Sequence, residues 1–127
     1  MGLIQPRPTD AELAILRVLW ERGSSTVRQV HEALAATRDT GYTTTLKLMQ
    51  IMADKGLVTR NETARTHVYA ASAGQKQTQQ QLVQDLVDRA FGGSAAALVL
   101  RALSSDDATD EELTEIRKLI DDYREKR

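Results

Sequence analysis

At Gly56 the hydrophobic pattern of the chain changes period, from a helical spacing upstream to a strand-like alternation downstream. A segment patterned for one period does not bury its apolar face in the other, so this switch restricts the fold more than any other feature. Upstream, three helices are marked out by their own start and stop signals. Thr9-x-x-Glu12 is a capping box, in which each side chain satisfies a backbone N–H at the helix start. The run Leu13, Ala14, Ile15, Leu16, Val18, Leu19 and Trp20 that follows is apolar on nearly every side, as in a helix packed within a core, and Gly23 suits a left-handed cap at its end. Thr26-x-x-Gln29 is a second box, opening a helix with Val27, Val30 and Leu34 inward and Arg28, Gln29 and Glu32 outward. A polar break, Thr37 to Gly41, precedes a third helix from Tyr42 or Thr43 to Lys55.

Downstream of Gly56, Leu57-Val58-Thr59-Arg60 and His67-Val68-Tyr69-Ala70 read as two strands around the polar loop Asn61 to Thr66. Three helices and then a two-stranded hairpin is the order of a winged helix-turn-helix. The expected fold class is therefore mainly α with a small β-hairpin wing, the DNA-binding domain spanning residues 1–72. Residues 73–127 are expected to form a helical region. Gln75 to Phe91 forms one long helix whose first turns are solvated, Gly92-Gly93-Ser94 breaks it, and Ala95 to Leu103 forms a short apolar helix. Thr109-x-x-Glu112, a third box, opens the last helix.

The third helix carries the functional argument. At roughly 100° per residue, Thr43, Lys47, Gln50 and Asp54 fall on one stripe, while Thr45, Leu48, Met49, Met52 and Ala53 cover the opposite side. Such a helix is about 20 Å long and fits the DNA major groove, about 12 Å wide. Its N-terminal part is the end that meets base edges in a helix-turn-helix. Thr43 and Thr44 offer hydroxyls and methyls, Lys47 an ammonium for guanine or phosphate, and Gln50 an amide for adenine. Asp54 would be repelled by DNA, but lies about 16 Å further along the axis. Tyr42, Arg28, Arg60 and Arg65 are the candidates for holding the phosphate backbone. A solvated amphipathic face is the plain alternative for this helix; the basic hairpin beside it tips the balance toward DNA.

Charge supports the same division. Residues 1–72 hold nine Lys/Arg against seven Asp/Glu, leaving eight basic and eleven acidic residues for the remainder of a chain with net charge −1. The C-terminal stripes Leu82/Leu86/Ala90/Phe91 and Leu113/Ile116/Ile120/Tyr123 exceed what three helices of this size bury alone, so part of them is expected in a two-fold dimer interface.

Other chemistry is poorly supported. No cysteine is present, which excludes disulfides and thiolate metal sites and makes a cytoplasmic location the simplest expectation. His31 and His67 lack ligand partners at metal spacing, and neither Ser24-Ser25 nor Ser104-Ser105 has a triad in reach. No metal, cofactor or enzymatic activity is expected. Trp20 reads as a core residue, and the cluster Asp106, Asp107, Asp110, Glu111, Glu112 as an acidic loop and first turn complementing the helix dipole. Met1 to Gln5 lacks a signal-peptide core, and no apolar run is of membrane-spanning length. A protein-interaction module built on the same fold without DNA binding is the competing reading, favoured by the net charge and Asp54.

The order of these motifs resembles a known family. Thr9-Asp10-Ala11-Glu12-Leu13 with Val18-Leu19-Trp20, Thr26-Val27-Arg28-Gln29-Val30, Gly41-Tyr42-Thr43-Thr44-Thr45-Leu46, Lys55-Gly56-Leu57-Val58, Val68-Tyr69 and Phe91-Gly92-Gly93-Ser94 look like the penicillinase-repressor (BlaI/MecI) family. The resemblance implies a repressor that binds a two-fold operator as a homodimer through its N-terminal winged domain. It also implies relief of repression when a membrane-sensor protease system leads to cleavage in the C-terminal region. That point would fall at Arg101-Ala102, where the cleaved members carry an Asn-Phe pair. A copper-sensing branch uses C-terminal cysteines, which this chain lacks, and Gln50 stands where many members carry arginine.

Overall fold

Threonine side chains set the first two helix starts in a computed structural model of the chain, described here for residues 7–104 and 107–127. The Met1 to Gln5 stretch, and Ser105 and Asp106 of the acidic loop, lie outside the described residues. Helix α1 (Asp10–Arg22) opens on a full box: Thr9 Oγ1 accepts from the Glu12 N–H at 3.2 Å, and Glu12 Oε1 accepts from the Thr9 N–H at 2.9 Å. Helix α2 (Val27–Ala35) opens the same way on Thr26 and Gln29. Helix α3 (Tyr42–Lys55) ends where Gly56 turns left-handed at φ 84°, a region only glycine enters without strain, and Gly56 N–H closes on the Ala53 carbonyl at 3.1 Å.

The sheet has one strand more than the expected hairpin. Strand β1 (Ser25–Thr26) pairs antiparallel with β3 (Val68–Ala71), which pairs in turn with β2 (Val58–Asn61), giving the order β1-β3-β2. Gly23 makes this possible. Its φ of 86° is positive, but its ψ of −168° is extended, so the expected left-handed cap is replaced by a backbone that leaves α1 straight into a strand. The consequence for function is positional: Ser25 pairs with Tyr69 and Thr26 with Val68, so the residue that caps α2 also sits in register with the loop-side end of β3.

One core joins these elements. Ile15, Leu16 and Leu19 of α1, Val30 and Leu34 of α2, Met49 and Met52 of α3, and Leu57, Val58 and Tyr69 around the hairpin are buried together. Trp20 packs against this core half-buried, with its indole N–H donating to the Ala73 carbonyl at 3.0 Å. Within the same core Glu12 is 1% exposed, and its second oxygen receives Lys55 Nζ at 2.8 Å. The last residue of α3 is thereby tied to the first turn of α1.

The chain divides into two compact units, Met1–Leu82 and Val83–Arg127, the division falling inside α4 (Gln75–Ala90). The second unit continues through α5 (Ala95–Leu103), capped by Ser94, and α6 (Asp110–Glu125). At α6 only half of the expected box forms: Thr109 Oγ1 accepts from the Glu112 N–H at 3.1 Å, and the Glu112 carboxylate does not return to the Thr109 N–H. Asp110, Glu111 and Glu112 occupy the first turn, where the helix dipole favours negative charge. No helix among the described residues is long and apolar enough to cross a membrane.

Candidate nucleic-acid interface

The start of α3 is built to present its backbone as well as its side chains. Gly41 is the N-cap and makes no side-chain cap bond, so the first N–H groups of the helix are not occupied by a capping side chain. Helix N-termini in this condition attract anions, phosphates among them. Three consecutive threonines divide by direction. Thr45 is wholly buried and its hydroxyl donates to the Gly41 carbonyl at 3.3 Å, fixing the first turn. Thr43 and Thr44 are exposed, as are Lys47, Gln50 and Asp54, whereas Met49 and Met52 are buried. The expected stripe therefore does face outward.

Tyr42 stands between the two helices of the motif. Its ring meets His31 edge-on, with centroids 5.7 Å apart and planes at 84°, and the Arg28 guanidinium carbon lies 5.3 Å from its centroid. A cation held against an aromatic face keeps its donors directed outward without the entropy of a loose side chain. Arg28 from α2 and Tyr42 from α3 thus form one unit beside Thr43. His31, to which the sequence assigned no role, supplies the third wall. Its Nδ1 is enclosed and has no hydrogen-bond partner among the described residues. Nothing in the spacing of His31 signals this, because it depends on where α3 packs.

The two wing arginines are placed differently. Arg60 lies opposite Tyr69 in the strand register, and Val58 lies opposite Ala71, so Arg60 shares the inner sheet face. Its Nε is 3.5 Å from Glu62, whose other oxygen is 3.7 Å from His67 Nε2. A hydrogen bond that the Arg60 guanidinium donates to Tyr69, together with the charge of Glu62, holds it above its ordinary value, so it is a permanent and locally engaged cation. Arg65 is exposed in the loop between the strands and makes no ion pair among the described residues. Asn61 shapes that loop: its Oδ1 accepts from both the N–H and the hydroxyl of Thr63, at 2.9 and 2.7 Å. Lys55, part of the basic excess of the N-terminal half, is turned to Glu12 instead.

In the C-terminal unit the expected interface stripes are largely uncovered. Leu86, Leu113, Ile120 and Tyr123 are exposed, Ala90 as well, while Leu82, Phe91 and Ile116 are half-buried. Val83, Val99, Leu100, Leu103 and Leu119 are exposed too, although they lie off the two stripes that the sequence pattern marks. Of eleven exposed large hydrophobics among the described residues, only Tyr42 and Ile51 lie outside this unit. Arg101 and Ala102 are exposed in the final turn of α5.

Comparison with known proteins gives a consistent result. Residues 8–122 match the family model described as penicillinase repressor. The chain is 42% identical over 93 residues to the transcriptional regulator BlaI of Mycobacterium tuberculosis, covering 71% of this chain and 67% of that protein. It is 21% identical over 122 residues to the penicillinase repressor of Bacillus licheniformis, covering 96% and 95%. Among solved structures, the DNA-binding domain of the repressor BlaI aligns with a TM-score of 0.51 at 24% identity, over 57% of this chain and 88% of that one. The monomeric form of Bacillus licheniformis BlaI, solved with the blaP half-operator, aligns at 0.51 and 23% identity over 57% and 89%. These two likenesses establish the winged-helix fold.

Proposed function

The chain belongs to the penicillinase repressor family, and from that premise we propose that it is a DNA-binding transcriptional repressor acting on a two-fold operator as a homodimer. The observation that carries the reading is the outward stripe of α3, its helix start free of a capping side chain, between the Arg28–Tyr42 pair and the Arg65 loop. In this reading Thr43, Thr44, Lys47 and Gln50 meet base edges, and the N-terminus of α3 with Arg28, Tyr42 and Arg65 holds phosphates. Arg60 acts chiefly by anchoring the wing through Glu62 and Tyr69, with a smaller share in phosphate contact. The family is one of transcriptional repressors and not an enzyme class, and the related BlaI solved with a half-operator supports DNA as the ligand.

Lys47→Ala is expected to weaken operator binding by about 1–3 kcal/mol, and Arg65→Ala to lower the slope of log affinity against log salt by about one unit. Arg60→Ala should change that slope less than Arg65→Ala does. Fluorescence anisotropy on a specific operator duplex across a salt series measures all three. If neither Lys47→Ala nor Arg65→Ala alters binding, α3 and the wing are not the interface.

Induction by a membrane-sensor protease system belongs to the same proposal. Cleavage at Arg101-Ala102 requires the last turn of α5 to unwind, since a protease takes its substrate extended. Mass spectrometry of the chain from induced cells tests it: the expected products end at Arg101 and begin at Ala102, and an intact chain under induction rules this step out.

A further inference from the structure

The C-terminal halves of α1 and α2 border a groove of 440 Å³ that includes no residue of α3 or the wing. Val18 and Leu34 contribute apolar surface, and Arg17, Arg22 and Arg38 stand around it with one carboxylate, Glu21. All three arginines are exposed, and none of their guanidinium groups makes an ion pair or hydrogen bond among the described residues. Three other cations among the described residues have carboxylate partners: Lys55 with Glu12, Arg60 with Glu62 and Arg89 with Asp85. Arg22 in the last turn of α1 complements the helix dipole there, but that account does not extend to Arg17 in the middle of the helix. Three unmatched guanidiniums against one carboxylate leave a concave site with two positive charges in excess, in a chain of net charge −1.

We propose that this groove binds a small polyanion with a compact aliphatic body, a di- or tricarboxylate or a phosphorylated compound. Guanidinium forks match carboxylate and phosphate oxygens two at a time, the volume is in the range of small-ligand sites, and Val18 and Leu34 accept the hydrocarbon part. Glu21 selects for a donor, a hydroxyl or an ammonium, on the same molecule. Occupancy is read at the DNA-binding face because Thr37 and Arg38 belong to the segment that leads into α3. Their N–H groups close on the Leu34 carbonyl at 3.0 and 2.8 Å, three residues before Gly41 caps the helix. This second half rests on the repressor reading; the binding site itself does not.

The test is a titration of the ¹⁵N-labelled full chain with citrate and, separately, with inorganic pyrophosphate, at ionic strength held constant with chloride. Saturable amide shifts are expected within Ala14–Arg22 and Ala33–Arg38. Arg17→Ala/Arg38→Ala should weaken binding at least tenfold, and Lys47→Ala/Arg65→Ala should leave it unchanged. Response to citrate alone identifies a carboxylate site, and response to pyrophosphate alone a phosphate site. Shifts that do not saturate, or that centre on Arg28, Lys47 and Arg65, overturn the proposal. So does binding of polyglutamate with no response to either small anion, which would make the groove a protein-docking surface. Operator affinity measured with and without saturating anion separates the two halves. An intact shift map with unchanged affinity overturns the coupling and leaves the repressor reading standing.

Discussion

Replacing Glu12 with alanine is expected to destabilise the N-terminal unit by about 2–3 kcal/mol in urea denaturation at pH 7. One buried carboxylate performs two tasks here. Oε1 accepts the Thr9 N–H at the start of α1, and Oε2 holds Lys55 at the end of α3. Loss of the cap accounts for about 1 kcal/mol. Removing one partner of a fully buried pair costs about 3–5 kcal/mol, but Lys55 is 37% exposed and can turn to water, so its share is smaller. Glu12→Gln separates the two tasks, since the amide oxygen still accepts from Thr9 while the charge is gone. Burial pushes the Glu12 carboxyl up, but the Lys55 ammonium and the Thr9 N–H outweigh it and leave it below its ordinary value of 4.5. A depressed carboxylate contributes stability that is complete above that ordinary value and lost as pH falls through the folded value. The gap between the wild type and Glu12→Gln should therefore be full at pH 7 and close in acid. A gap that persists unchanged to pH 3, or an alanine variant within 0.5 kcal/mol of the wild type at pH 7, would show that the pair does not hold α1 to α3.

The same residue shows what the sequence discloses and what it withholds. Thr9 with Glu12, and Thr26 with Gln29, interact across three residues, so their capping role can be read from spacing alone. The division of α3 into a buried face and an exposed stripe is equally local, because a helix fixes direction by residue number. Lys55 is 43 residues from Glu12, and no periodicity links them. Strand β1 escapes for a related reason: two residues carry no alternation, and Thr26 is already explained as a cap. At the candidate interface Arg28 and Tyr42 can be singled out by type and position, but their stacking, the part played by His31 and the engagement of Arg60 by Glu62 and Tyr69 all depend on packing between elements. The third capping box marks the limit of motif reading even locally. Glu112 stands at the right spacing, yet only the Thr109 half is made.

Replacing Ile120 with aspartate is expected to convert the protein to a monomer and to reduce its affinity for a complete operator by about 10²–10⁴-fold. Ile120 is 51% exposed on α6, beside Leu119 at 60% and Tyr123 at 65%. Apolar side chains concentrated in this way, nine of them in Val83–Arg127, are unusual for a surface that meets only water and are typical of one that meets a partner. A second copy is the partner that symmetry favours, since one self-complementary patch serves both subunits. A carboxylate placed there must be desolvated for the dimer to form, whereas in the monomer it remains in water, so the substitution weakens association more than it weakens the fold. Two α3 helices joined in one dimer turn the second half-site contact into an intramolecular event, and that advantage is what the monomer loses. Analytical ultracentrifugation and anisotropy on full and half operators separate the terms. The variant should sediment as a monomer, keep its helical circular dichroism and bind a half-operator as the wild type does. A variant that remains dimeric places the interface elsewhere. A monomer with undiminished affinity for the full operator would mean that each copy binds DNA alone, and the two-fold part of the proposal would fall while the assignment of α3 stood.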